Sequence, residues 1–222
     1  DELLIRTHPK YVKKRIDLES LLKQRNAFLK QAKGYLTTEG KNTLSVWNEQ
    51  FADASQEWGQ LRKETLKNLQ HLAQKAYEDL TGKPEDLTIT YNPEWLTKGL
   101  LSSLKEIEND ELRRATTLIG PHRDDIEIFL AEMPARTHAS QGEQRTIALS
   151  LRVAGHLFLY EVHKAKPLLL LDDVFSELDT ERTERLLHLL VADQTFITTA
   201  IEPKYIDANT YYEIQNGKVV TA

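Results

Sequence analysis

Hydrophobic and polar positions follow two different periods along this chain. In residues 1–34, Leu18, Leu21, Leu22, Phe28, Leu29 and Ala32 recur near helical spacing, and Gly34 is the expected stop. Residues 44–80 keep that period, with Leu61, Thr65, Leu69, Leu72, Ala73 and Ala76 on one face and Trp47, Phe51, Trp58 and Tyr77 adding aromatic bulk. Two antiparallel helices joined near residues 34–43 are expected to form a hairpin arm. No heptad persists long enough for a long coiled coil. Thr81 to Pro84 breaks the pattern. LTITY at 87–91 alternates as a strand, and residues 96–114 return to helical spacing.

From Thr116 the texture becomes α/β. Ile126, Ile128 and Leu130 alternate as a strand, and Met133-Pro134 reads as a turn. Residues 146–162 are apolar around most of a helix's circumference, which predicts a largely buried helix. Leu168 to Leu171 is a short unbroken apolar run, the pattern of a strand buried on both faces of a parallel sheet. A helix capped by Asp179 or Thr180 follows, then a strand at 194–200. Asn216-Gly217 between YYEI and KVV is a strong hairpin signal. The expected fold class is α/β, with a mainly helical domain over 1–115, a second domain over 116–222 and a boundary within 82–115.

Composition changes this picture little. The chain has 222 residues, 40% hydrophobic and 28% charged, enough for one large or two small domains. The absence of cysteine excludes a disulfide framework and a thiolate metal site, and suits the reducing cytoplasm. No apolar run approaches a membrane span, and the start lacks a signal peptide's apolar core. It also lacks an initiator Met and begins abruptly, so a fragment of a longer protein is expected. Charge is uneven: residues 1–34 carry a net +5 within a total of −5. Lys13, Lys14, Arg15, Lys23 and Arg25, with Lys30 and Lys33, would line the exposed side of the first helix. That stripe is a candidate phosphate-contacting surface for DNA, although a solvated helix face shows the same pattern.

The chemistry concentrates around PLLLLDDVFSELD at 167–179. Asp172 and Asp173 close an apolar strand at its carboxyl end, where open α/β sheets place ligands. This is the Walker B pattern, in which the carboxylate holds Mg²⁺ at a nucleotide's phosphates. One helix upstream lies SQGEQ at 140–144. Ser140 with Glu143 three residues on is a capping box. Gly142 and the free N–H groups of a helix start would also cradle a phosphate.

The order SQGEQ, helix, LLLLDD, SELD matches the signature, Walker B strand and D-loop of ABC-type ATPases. With LLKQRNAFLK at 21–30, TLIGPHRDDIEI at 117–128 and QTFITT at 194–199, the chain resembles the carboxy-terminal part of the RecF family, bacterial recombination mediators among the SMC-like ABC ATPases. The cousins' Gly-Gly signature and Asp-Glu pair are here Gln141-Gly142 and Asp172-Asp173, which favours RecF. The resemblance implies the carboxy-terminal lobe of an ABC-type ATPase domain bearing a mainly helical arm. It implies that Asp172 holds Mg²⁺ and that Asp173 polarises the attacking water. Ser140, Gln141, Gly142 and Glu143 would contact ATP bound on a second subunit, and Asp179 would lie along the dimer interface. Thr199 falls where transporters carry a switch histidine. His122 and Arg123 match a family motif whose role does not follow from their chemistry. The implied partners are double-stranded DNA near single-strand gaps, RecR, RecA and a second copy in an ATP-dependent homodimer, with no membrane. The intact protein would be a weak DNA-dependent ATPase. No GxxxxGK occurs in this chain, so it is not expected to hydrolyse ATP alone, and its lobe should expose a sheet edge and an apolar face. The alternatives are a non-catalytic DNA- or protein-binding module and another SMC-like ABC ATPase.

Overall fold

The computed structural model describes residues 1–200 and 208–221. They fall into two compact units, residues 1–165 and 166–222. The break does not coincide with the expected boundary at 82–115. Much of the stretch after residue 116 packs against the arm instead.

The first unit is built on one long helix. A short α1 (Glu2–Thr7) precedes α2 (Pro9–Ala32), which runs beside α3 (Thr38–Thr81), as the hairpin arm requires. The Thr37 hydroxyl caps α3 by accepting from Gly40 N–H, and Gly82 ends it in the left-handed conformation at φ 70°. Strand β1 (Leu87–Thr90) follows. The single helix expected at 96–114 is three short ones, α4 (Glu94–Lys98), α5 (Leu100–Glu106) and α6 (Glu108–Arg114). Gly99, at φ 91°, ends the first of them, and the non-helical Ile107 separates the other two. The chain then turns through residues 115–126 into β2 (Glu127–Leu130) and β3 (Met133–Pro134). The turn lies at Ala131-Glu132, both at positive φ, and Met133-Pro134 pairs back onto β2. After α7 (Ala135–His138), helix α8 (Gln141–His163) packs lengthwise on α3.

The sheet order is β1-β2-β3, antiparallel throughout. The outer edge of β1 is closed by side chains. Gln70 accepts from Ile89 N–H and donates to the Leu87 carbonyl, both at 2.6 Å, while Gln74 accepts from Leu87 N–H at 2.6 Å and donates to the Glu85 carbonyl at 3.0 Å. Two amides one helical turn apart thus stand in for a neighbouring strand and cover an edge that would otherwise invite pairing. Helix α8 buries one face through Ile147, Val153, Ala154 and Phe158, but Ala148 and Val162 are exposed, so it is not the largely buried helix its composition predicts.

Arg25 is the correction with the largest consequence. The basic stripe of α2 predicts it on the surface, yet it is 1% exposed. It forms an ion pair with the equally buried Glu111 of α6 and donates to Asn48 of α3 at 2.9 Å and to Thr117 at 2.7 Å. Its position on α2 faces the arm's interior rather than the exposed side where Lys13 and Lys23 lie.

The second unit holds β4 (Leu168–Asp172), a 3₁₀ turn at Val174–Glu177, α9 (Thr180–Leu189) and β5 (Gln194–Thr198). Strands β4 and β5 pair in parallel. A hairpin of β6 (Tyr212–Gln215) and β7 (Lys218–Thr221) follows, turning at Asn216-Gly217 with both residues at positive φ, as the dipeptide predicts. Strand β4 is covered on one face only. Leu171 is 9% exposed, but Leu168 is 56% and Leu170 70% exposed, and Phe196 on β5 is exposed beside them. The expected burial on both faces fails because no layer among the described residues covers the second face.

Removing one partner of a buried ion pair leaves the other charge uncompensated, which costs about 3–5 kcal/mol. Glu111→Ala should therefore lower the urea-unfolding free energy of this chain by that amount. Lys14→Ala, which breaks only the exposed pair with Glu57, should change it by less than about 1 kcal/mol.

Candidate functional site

The start of α8 forms in the first unit as a complete capping box. Ser140 Oγ accepts from Glu143 N–H at 3.3 Å, and Glu143 Oε2 accepts from Ser140 N–H at 2.7 Å. These bonds hold the Glu143 carboxyl below the usual glutamate range. Gln141 and Gly142 are exposed, and a Cβ added at Gly142 would meet no atom within 4 Å. Packing within this chain therefore does not require a glycine there. The first-turn N–H groups of a 23-residue helix face outward at this point, as an anion site needs.

In the second unit, Asp172 and Asp173 end β4 and are both exposed. Parallel pairing sets Asp172 opposite Thr198, whose hydroxyl donates to Asp172 Oδ1. Asp173 N–H reaches the Thr198 carbonyl at 3.0 Å and its hydroxyl at 3.2 Å. Asp173 itself is left-handed at φ 49° and opens the 3₁₀ turn. Thr198 is a residue that sequence reasoning missed, since attention went to its neighbour Thr199. The register of β5 was the signal that could have found it. Asp179 caps α9, its Oδ1 accepting from Arg182 N–H at 2.8 Å.

The GPHRDD stretch proves to be anchored to the arm. Asp124 accepts from Tyr91 Oη at 2.6 Å and Trp95 Nε1 at 2.8 Å, with Arg62 Nη1 at 3.6 Å. Burial, and then the bond to Asp124, raise the Tyr91 phenol well above its ordinary value. Arg62 also donates to the Pro121 carbonyl at 3.0 Å. Gly120, at φ 123°, lies against Phe51, and the His122 ring meets the same aromatic edge-on. His122 Nε2 lies 3.2 Å from the Thr117 carbonyl oxygen, and desolvation lowers its pKa below the usual histidine value. Arg123 is exposed. The start of α8 instead lies near Lys83, just past the end of α3. Phe51 to Thr81 is about 45 Å of helix at 1.5 Å per residue, so within this unit His122 and Arg123 stand far from the start of α8.

Of the basic candidates on α2, Lys13 and Lys23 are exposed. Lys14 is tied to Glu57, and Arg15 forks to Glu2 and Glu19. Arg25 is buried and excluded as a surface contact. Among the described residues no cluster of three or more His, Cys, Asp or Glu could hold a metal, and no helix is long and apolar enough to cross a membrane.

A capping-box helix start followed by a parallel strand ending in two aspartates and a capped D-loop is the carboxy-terminal half of an ABC-type ATPase fold, and the comparisons agree. No family model matches the chain. Solved structures of a recombination mediator protein RecF in the RecFOR pathway, with ATP and with an ATP analogue, are similar at TM-scores of 0.85 and 0.82, with 28% and 27% identity over 99% and 97% of this chain. They are covered to 60% and 59% of their own length. Curated proteins named DNA replication and repair protein RecF are 34% identical in Renibacterium salmoninarum, 36% in Streptomyces avermitilis and 37% in Lactobacillus delbrueckii subsp. bulgaricus, over 91%, 99% and 96% of this chain. The chain spans 60–63% of the length of these relatives. It is similar to these RecF proteins along nearly its whole length.

Ser140→Ala should cost about 1 kcal/mol at the start of α8. Because the folded Glu143 carboxyl sits below its ordinary value of 4.5, its stabilisation is present above that range and fades as pH falls through the lowered value. Amide ¹⁵N shifts of Ser140 and Glu143 followed on acidification should report the step, and Glu143→Gln should remove it.

Proposed function

We propose that this chain is the arm and carboxy-terminal ATPase portion of a cytoplasmic recombination mediator. On this reading the whole protein binds ATP between two copies of itself, engages double-stranded DNA near single-strand gaps, and promotes RecA loading together with RecR. The observation that carries the reading is the carboxyl end of β4–β5, where Asp172, Asp173 and Thr198 meet beside an open surface. The RecF structures with ATP and its analogue support ATP as the ligand.

The residues present fit this chemistry. Asp172 offers the hard oxygen donor that Mg²⁺ prefers, at a site with few protein ligands and room for phosphate oxygens. When bound, Mg²⁺ neutralises charge on the phosphates. Thr198 orients Asp172 by donating to one carboxylate oxygen and leaves the other free. Asp173 accepts the proton of the attacking water at its carboxylate. Ser140 and the N–H groups of Gln141 and Gly142 present donors to the γ-phosphate held by a second copy, and Asp179 lies along the interface between copies. The chain contains no P-loop sequence, so the cradle for the α- and β-phosphates must come from outside residues 1–222.

In a protein that joins this chain to a P-loop-bearing lobe, Ser140→Arg should abolish ATP-dependent dimerisation in light scattering without changing the monomer. Asp173→Asn should keep the ATP-dependent dimer and lower turnover about 100-fold or more. A Ser140→Arg protein that still dimerises and turns over would show that the signature does not act across the dimer.

A further inference from the structure

The GPHR loop plays no part in the site described above, yet it is among the most firmly held segments of the first unit. Two buried arginines of the arm grip it, Arg25 through Thr117 and Arg62 through the Pro121 carbonyl and Asp124. Thr117 N–H and hydroxyl both donate to Asn26 Oδ1 of α2 at 2.7 Å. The loop then folds back, so that His122 lies 3.2 Å from the Thr117 carbonyl oxygen.

Four cations radiate from this junction. Lys23 and Lys30 stand one helical turn on either side of Asn26, at i−3 and i+4, and so share its flank of α2. Arg114 closes α6 three residues before Thr117, and Arg123 follows His122. All four are exposed, and none has a carboxylate partner among the described residues. Several other cations of the arm are already paired: Arg15 with Glu2 and Glu19, Lys14 with Glu57, Arg113 with Asp110 and Arg25 with Glu111. Glu19, one turn before Lys23, is already paired with Arg15. Unpaired positive charge on a backbone locked from within is the arrangement a polyanion needs. Its phosphates displace counterions from the cations, and no loop has to be ordered on binding.

We propose that Lys23, Lys30, Arg114 and Arg123 form one phosphate-contacting surface for the backbone of duplex DNA, and that the GPHR motif exists to hold the Arg123 corner of it. This rests on the DNA-binding reading above. It moves the contact surface from the stripe of α2 to the junction of α2 with the loop.

The test is fluorescence anisotropy of this chain with a labelled 20-base-pair duplex between 50 and 200 mM salt. Lys23→Gln with Lys30→Gln, and separately Arg114→Gln with Arg123→Gln, should each weaken binding about tenfold at 50 mM. Each pair should also lower the slope of log affinity against log salt by about two, near 0.9 per lost contact. Matching urea midpoints would show that both variants remain folded. Lys14→Gln, at a cation already paired, should leave the slope unchanged. If both double variants keep the parental affinity and slope, the surface is wrong while DNA binding stands. If the parental chain shows no salt-dependent binding, the DNA-binding reading falls and takes the surface with it.

Discussion

The guanidinium of Arg25 is a full positive charge almost sealed from water, and the first unit is arranged so that it can stay there. A charge of that kind persists only if its donors are matched by acceptors and its sign by a carboxylate. Glu111 supplies the carboxylate from α6, Asn48 an acceptor from α3 and Thr117 another from the following loop. Three helices and a loop are thereby fixed to a single atom group. The apolar contacts around it, such as Leu29 with Leu36, Leu44 and Leu112, are less directional. Hydrophobic packing brings α2, α3 and α6 together, and the charge sets their register.

Arg62 repeats the device one stretch further along α3, where it reaches Tyr91, Pro121 and Asp124. Close packing supports this second junction. A Cβ on Gly59 would come within 2.7 Å of the Trp95 ring, so the small residue lets that indole lie against α3 and present its N–H to Asp124. The two arginines make the arm and the 117–124 loop one body. The arm is thus more than a spacer: it is the frame on which the GPHRDD stretch takes its shape.

Much of this was legible in the residues themselves, and the remainder fails for definable reasons. The helices of the arm, strands β1 and β2, the capping box at Ser140, the cap at Asp179 and the Asn216-Gly217 hairpin all follow from local periodicity or local hydrogen bonding, which a single sequence displays directly. Arg25 could not be read this way, because its partner Glu111 is 86 residues distant and it falls in a basic stripe with the exposed Lys23 and Lys30. Thr198 stayed hidden because its contact with Asp172 depends on strand register, which neither strand encodes alone. The leucines of β4 announce a strand made for two covered faces. Composition states what a surface is built to bury, not whether a partner is at hand. The order of SQGEQ, strand and SELD pointed to the class, and the specific wording of GPHRDD and SQGEQ to the resemblance with RecF.

The backbone at Asp173 bears on why this chain carries two aspartates where related ATPases carry aspartate and glutamate. At φ 49° the residue lies in the left-handed region, which costs most L-residues about 1–2 kcal/mol and is entered most readily by glycine, asparagine and aspartate. The same residue leaves the strand, opens the 3₁₀ turn and returns its N–H to Thr198. Aspartate suits that corner because its short polar side chain tolerates the turn. The missing methylene is then a property of the bend as much as of the chemistry. Lengthening the side chain would trade reach beyond the strand end against the geometry of the bend.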